Sequence, residues 1–91
     1  MSVTVRIPTQ LRTLTGGAGE VQVEGASVGE ALKALDAAHA GFGERLFDQA
    51  GELRRFVNVF LADEDVRFLE GLATPVAQGQ TISIVPAVAG G

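Results

Sequence analysis

The clearest candidates for chemistry in this 91-residue chain are the two glycines at its end, Gly90 and Gly91. Because glycine has no side chain, a strand that ends in Gly-Gly is thin enough to enter the active site of another protein. The terminal carboxylate is a poor electrophile, but adenylation by ATP would supply a leaving group that a sulfur or amine nucleophile can displace. Val88 and Ala89 are small and apolar, and they suit the same narrow slot. We predict that Gly91 is the reacting residue and that Val88, Ala89 and Gly90 thread into a partner.

Side chains that could carry chemistry are scarce in the rest of the sequence. The chain has no cysteine, which excludes disulfides, thiolate metal sites and a thiol nucleophile. Its one histidine, His39, has no recognisable serine, carboxylate or metal-ligand partner, so we assign it no chemistry. The acidic run 63–65 lacks the ligand spacing of a calcium loop, and the glycine-rich run 16–19 lacks the Lys-Ser/Thr of a phosphate loop. We predict no metal site.

Composition narrows the class of protein further. The net charge is −4 without a basic stripe, which argues against nucleic-acid binding. No apolar run approaches the ~20 residues that span a bilayer, and the first residues lack the pattern of a signal peptide. We expect a cytoplasmic protein with no membrane or nucleic-acid partner, built as a single domain over 1–91 with a flexible C-terminal tail at 86–91.

The elements that must hold this tail follow from hydrophobic periodicity. Alternation of apolar and polar residues predicts four strands, at 2–7, 20–24, 55–62 and 81–85. Ser27 and Glu30 have the spacing of a capping box and begin a helix with one apolar stripe, which Gly41 and Gly43 should end. The order predicts an α+β fold of the ubiquitin-like β-grasp type, with a mixed four- to five-stranded sheet and one main helix on one face.

The shorter segments are predicted mainly as connections. We expect a loop at 9–19, a short helical turn around 46–47, a turn at 63–65, a short edge strand around 66–69 and a loop at 71–80. Arg54 and Arg55 are predicted to form a solvated edge before the third strand.

The third strand also carries a candidate docking surface. If its valines and Leu61 face the helix, then Phe56, Asn58 and Phe60 face the opposite side of the sheet. Exposed apolar patches often mark interfaces, so we predict that Phe56 and Phe60 dock a partner. The alternative is that a loop or the end of another element covers both rings.

The chain also resembles the ThiS/MoaD sulfur-carrier family, in the segments "RFVNVF", "DEDVRF", "GLATPV" and "PAVAGG" and in the order of its elements. The likeness is closest to the CysO-type branch, which delivers sulfur to a cysteine synthase acting on O-phosphoserine. It implies that an E1-like enzyme consumes ATP to adenylate Gly91, which then becomes a thiocarboxylate. It also implies that the domain binds no cofactor and is not an enzyme, since the catalytic side chains belong to its partners.

The sequence leaves open two related functions and, as a third alternative, an interaction domain without chemistry. The same tail could serve the large subunit of molybdopterin synthase, because the ending "VAGG" does not separate the two branches. It could instead be joined to lysines of target proteins, as in ubiquitin-like modifiers. An inert interaction domain would tolerate loss of both terminal glycines.

Overall fold

Five strands form one mixed sheet in the computed structural model, which describes residues 2–55 and 57–86 of the chain. The strands are β1 (Ser2–Arg6), β2 (Glu20–Glu24), β3 (Val57–Leu61), β4 (Glu64–Asp65) and β5 (Thr81–Pro86). Their order is β2-β1-β5-β3-β4, in which β1 and β5 run parallel and the other neighbours run antiparallel. The predicted mixed sheet and all four predicted strands are confirmed: β1 and β3 lie within the predicted ranges 2–7 and 55–62, β2 has its predicted bounds, and β5 extends one residue beyond 81–85.

One face of this sheet is covered by helix α1 (Val28–Ala38). The alternation that predicted the strands also sorts their side chains, because successive residues of a strand point to opposite faces. The inward residues of neighbouring strands lie opposite one another, as in the row Val5, Ile82 and Leu61. All three are buried, and so are Val57, Val59 and Ile84, which confirms the predicted inward faces of β3 and β5.

Helix α1 begins as the capping box predicts, with one difference. The Glu30 backbone N–H donates to the Ser27 Oγ (3.2 Å), but the Glu30 carboxylate accepts from the backbone N–H of Ala26 (3.0 Å) rather than from Ser27. The helix ends at Ala38, and His39 is its C-terminal cap. The prediction that α1 runs on to end at Gly41 and Gly43 was wrong.

A second helix, α2 (Phe42–Leu46), follows at once. Gly41 precedes it with a φ of 111°, a conformation that L side chains rarely adopt. The Asp36 carboxylate of α1 accepts from the Gly43 N–H (2.8 Å), which satisfies one of the unpaired donors of the first turn of α2. Gly43 therefore lies inside a helix, and the helical turn predicted around 46–47 is the end of α2.

Three 3₁₀ helices occupy segments that the sequence predicted as loops or as a strand: Thr9–Thr15, Val66–Phe68 and Gly71–Ala73. The edge strand predicted around 66–69 was wrong, since the edge strand is β4 and the turn before it consists of Ala62 and Asp63. The Asp65 carboxylate accepts from the Arg67 N–H (2.8 Å) and so starts a tight turn. Among residues 2–55 and 57–86, no helix has the length and apolar character to cross a membrane.

Candidate functional site

Strand β5 ends beside the first residues of β3. Val85 lies opposite Asn58, and Pro86 lies opposite Val57. Pro86, where the predicted tail begins, is thus the last residue of β5. The predicted reacting residue Gly91 and the predicted threading segment Val88, Ala89 and Gly90 lie outside the described residues, so their roles stay predictions. Five residues beyond Pro86 span at most about 17 Å.

Phe60 lies on the sheet face opposite α1, as predicted. The side chain is partly exposed, and its neighbours across the strands are Ser83 of β5 and Asp65 of β4. Val85, on the same face and 45% exposed, adds apolar surface one residue before the end of β5. We call Phe60 and Val85 the open-face patch. Phe56, the other predicted docking residue, lies outside the described residues, and docking itself stays a prediction for both phenylalanines.

The far side of the same face is polar. On β1 and β2, Arg6 pairs with Glu20 (3.4 Å), and the Gln22 amide donates to the Thr4 hydroxyl (2.7 Å). These side chains satisfy one another at the surface. Among the described residues of the open face, the apolar side chains therefore lie on β3 and β5.

The structure also exposes a phenylalanine that the sequence prediction did not select. Phe68 ends the 3₁₀ helix that follows β4, and 86% of its surface is exposed. The next residue, Leu69, is 39% exposed. A signal was present in the sequence, because Asp65 three residues before Phe68 is a common helix-capping residue. Because 66–69 was predicted as a strand, this capping signal was overlooked.

Arginines surround the start of β3. The Arg67 guanidinium donates through Nη1 to the Asn58 side-chain oxygen (3.0 Å) and through Nη2 to the Arg54 carbonyl (2.8 Å). The Arg54 side chain donates through Nε to the Glu44 carbonyl (3.0 Å). Arg54 is therefore anchored to α2, so the predicted solvated edge holds only for the exposed Arg55.

An open cleft of about 480 Å³ lies beside these arginines. Its charged lining mixes signs, with Asp48, Glu52 and Glu70 against Arg55 and Arg67. Binding pockets for small molecules are mostly apolar with a few polar groups, which this cleft does not match. In the part of the chain that the structure describes, no three His, Asp or Glu side chains are grouped to hold a metal ion.

Comparison with known proteins gives one family match and several similar proteins. The sequence profile of the ThiS family matches residues 5–91. The sulfur carrier protein CysO of Mycobacterium tuberculosis is 50% identical over 93 residues, covering all of both chains. The CysO chain in the Amycolatopsis orientalis BexX/CysO complex superposes with a TM-score of 0.92 at 50% identity, covering 98% of this chain and 99% of that one. The small archaeal modifier protein 3 of Haloferax volcanii is 39% identical over 66 residues, covering 72% of this chain and 71% of that protein.

Proposed function

From the premise that this chain belongs to the ThiS family, we propose that it is a sulfur carrier whose reactive group is the carboxylate of Gly91. The observation that carries the proposal is the identity of 50%, over the full length of both chains, to the M. tuberculosis protein named as a sulfur carrier. The family match reaches residue 91 and so includes both terminal glycines.

The proposed chemistry has two stages. In the first, a Gly91 carboxylate oxygen attacks the α-phosphorus of ATP and expels pyrophosphate, and a sulfide-level sulfur nucleophile then displaces AMP from the acyl carbon. The terminus becomes a thiocarboxylate, and AMP keeps the oxygen. In the second, the thiocarboxylate sulfur attacks an activated amino-acid intermediate, and hydrolysis of the resulting thioester restores the carboxylate.

The described fold supports a carrier that leaves catalysis to its partners. The end of β5 pairs with β3 and carries Val85, one of the two residues of the open-face patch. A partner that binds the patch would hold the tail at a high effective concentration in its own active site. The carrier then needs no catalytic side chain and no bound cofactor, because the activating enzyme consumes the ATP. Its place of action is the cytoplasm, where ATP is available.

Two partners follow from the proposal. An E1-like adenylating and sulfur-transferring enzyme loads the tail, and a pyridoxal-phosphate cysteine synthase unloads it. The A. orientalis CysO chain was solved in a complex with BexX, so a chain of this shape can bind a partner protein. Phe56 and Phe60 are the proposed contacts of the docking surface, and Val88, Ala89 and Gly90 enter the partner ahead of Gly91.

Intact mass spectrometry of the protein purified from cells tests the first stage directly. We expect a species in which one oxygen is exchanged for sulfur, located on the C-terminal peptide. Its absence under sulfur-replete conditions, and after incubation with the activating enzyme, ATP and sulfide, would contradict the proposal. Affinity capture with the thiocarboxylate form then identifies the acceptor: a pyridoxal-phosphate enzyme supports cysteine synthesis, and a pterin enzyme supports the molybdopterin alternative.

A second function, conjugation to proteins, is favoured by the similarity to the H. volcanii modifier protein. Adenylation is common to both functions, and they diverge when an amine rather than sulfur attacks the acyl carbon. The sole lysine, Lys33, is exposed on α1, so chains of this protein would have one linkage. High-mass conjugates that disappear when residues 90–91 are deleted would identify this function in the same mass-spectrometric experiment.

A further inference from the structure

Strand β2 forms an edge of the sheet that is regular along its whole length. It lies at one end of the strand order and pairs with β1 over five residues, with no bulge in the register. Sheets commonly protect their edges with short strands, lysines, prolines or bulges. The opposite edge strand, β4, is only two residues long, whereas β2 has the sequence EVQVE and none of these protections. The outer side of β2 is therefore the edge that can accept a further strand.

The hydrogen bonds of β1 show which backbone groups of β2 face outward. The Thr4 N–H donates to the Gln80 carbonyl (3.0 Å) next to β5, and the Ile7 N–H donates to the Gly19 carbonyl (2.8 Å) next to β2. Successive residues of a strand direct these groups to opposite sides. The even-numbered residues of β1 therefore bond towards β5, and the odd-numbered residues bond towards β2.

The register then identifies the outward groups of β2. Val5 lies opposite Val21, so these two residues exchange hydrogen bonds, and the pairs on either side of them do not. The N–H and C=O groups of Glu20 and Gln22 thus point away from β1. Within residues 2–55 and 57–86, these groups have no hydrogen-bond partner on the outer side. Each of the two residues offers a donor and an acceptor to another strand.

The side chains of β2 limit which strand can pair there. Glu20 and Gln22 point to the open face, and Val21, which is partly exposed, points to the face that carries α1. The strand has two carboxylates and no basic side chain. The Arg6 Nε lies 3.4 Å from the Glu20 carboxylate, but both side chains are more than half exposed, so this pair contributes little. A strand on the outer side would be the direct neighbour of Glu20 and would lie about 10 Å from β1, which carries Arg6.

We propose that β2 binds an extended segment of another protein as an added antiparallel strand, with Lys or Arg opposite the carboxylates and apolar residues between them, next to Val21. Antiparallel pairing is the more stable arrangement per residue. A second copy of this chain does not fit, because pairing of β2 with itself over its full length would place Glu20 opposite Glu24 of the second copy. The inference goes beyond the proposed function, since it involves neither Gly91 nor Phe60, and β1 and β5 separate β2 from β3.

Titration of the isotope-labelled protein with the capped peptide Lys-Val-Lys-Val-Lys, followed by NMR, tests the added strand. We expect shift changes centred on β2. At saturation, exchange of the Glu20 and Gln22 amide hydrogens should slow about fivefold or more, because both become bonded to the peptide.

Two methylated peptides of equal composition separate backbone pairing from general attraction. In an antiparallel strand whose lysines lie on the open face, the lysine N–H groups point to β2 and the valine N–H groups point away. N-methylation of the lysine residues should therefore raise Kd about tenfold or more, and N-methylation of the valine residues should leave it within about twofold. This comparison uses the wild-type protein, so it does not depend on the folding of a variant.

A charge reversal tests the chemistry of the partner. Glu20→Lys should raise the Kd of the lysine peptide about fivefold and lower that of the peptide Glu-Val-Glu-Val-Glu by a similar factor. Glu44→Lys is the matched control, because Glu44 is an exposed carboxylate on α2, outside the sheet. It should leave both affinities within about twofold, and spectra of the free variants check that each is folded.

Four results would overturn the inference. Unchanged exchange at Glu20 and Gln22, or equal affinities of the two methylated peptides, would show that the backbone of β2 does not bind the strand. A loss confined to the valine-methylated peptide would show a parallel strand. Equal effects of Glu20→Lys and Glu44→Lys would show attraction to the net charge of the protein alone. Shift changes at β2 that depend on protein concentration without any peptide would identify a second copy as the occupant.

Discussion

Replacing Phe60 with lysine gives a sharp test of the open-face patch. The choice of charge follows from the register of β3 and β4, in which Phe60 lies opposite Asp65. Lysine would face a carboxylate and gain about 0.2–1 kcal/mol from an opposite-charge pair, whereas aspartate would face a like charge and destabilise the sheet. Phe60→Lys therefore changes the surface while the cross-strand pair helps to preserve the fold.

The expected loss of kcat/KM follows from the area of the Phe60 ring that a partner can bury. A phenylalanine can bury roughly 150–250 Å². Since Phe60 is already partly covered by its own sheet, we take roughly 50 Å² as the area left for a partner, which at about 25 cal/mol per Å² corresponds to about 1.3 kcal/mol. That is about a ninefold loss in kcat/KM. Burial of an unpaired ammonium in the interface would enlarge the loss further.

The assay is release of pyrophosphate by the activating enzyme as the carrier concentration is varied. Gln22→Lys is the matched control, because it places the same charge on the polar side of the same face. We expect kcat/KM to fall about tenfold for Phe60→Lys, mainly through KM, and to stay within about twofold for the control. A folded Phe60→Lys protein with wild-type kcat/KM would refute docking through this ring.

The remaining predictions concern the tail and the stability of the fold. Deletion of residues 90–91 should abolish sulfur loading by mass spectrometry while leaving the melting temperature unchanged, since the described sheet ends at Pro86. Ala62, the first residue of the β3–β4 turn, has a φ of 56°, and Ala62→Gly should raise the free energy of unfolding in urea by about 0.5–1 kcal/mol; a loss would refute the strain. Gly25→Ala should lower it by about 1–3 kcal/mol, because the new Cβ would lie 2.7 Å from the backbone nitrogen of Ala31. Phe68→Ser should change it by less than about 0.5 kcal/mol, as the ring is 86% exposed, and a larger loss would show that the ring packs on the fold.

Elements with a strong hydrophobic period could be predicted from the sequence, whereas the short elements could not. The alternating residues of β1, β2, β3 and β5 match the period of a strand, and the stripe of α1 matches the period of a helix. The 3₁₀ helix Val66–Phe68 spans three residues, too few to show any period. Its buried Val66 resembled a strand residue, and only the capping contact from Asp65 identifies a turn.

The features of the candidate site were likewise predictable only in part. The outward face of Phe60 was predictable from the sequence, because strand alternation is a local property, whereas the reacting role of Gly91 stays a prediction. The exposure of Phe68 and the anchoring of Arg54 to α2 were not, since each depends on segments that lie far apart along the chain.

By itself, the sequence determined that one main helix packs on a strand-rich sheet and that the candidate reactive group is a main-chain carboxylate after two glycines. Only the tertiary structure shows which side chains meet near the end of β5, where the predicted tail begins. Arg67 reaches Arg54 and Asn58 across 13 and 9 residues, and no local rule pairs them. The physical reason is that periodicity and capping act within a few residues, whereas a side chain that bridges two segments finds its acceptors only after the sheet has brought them together.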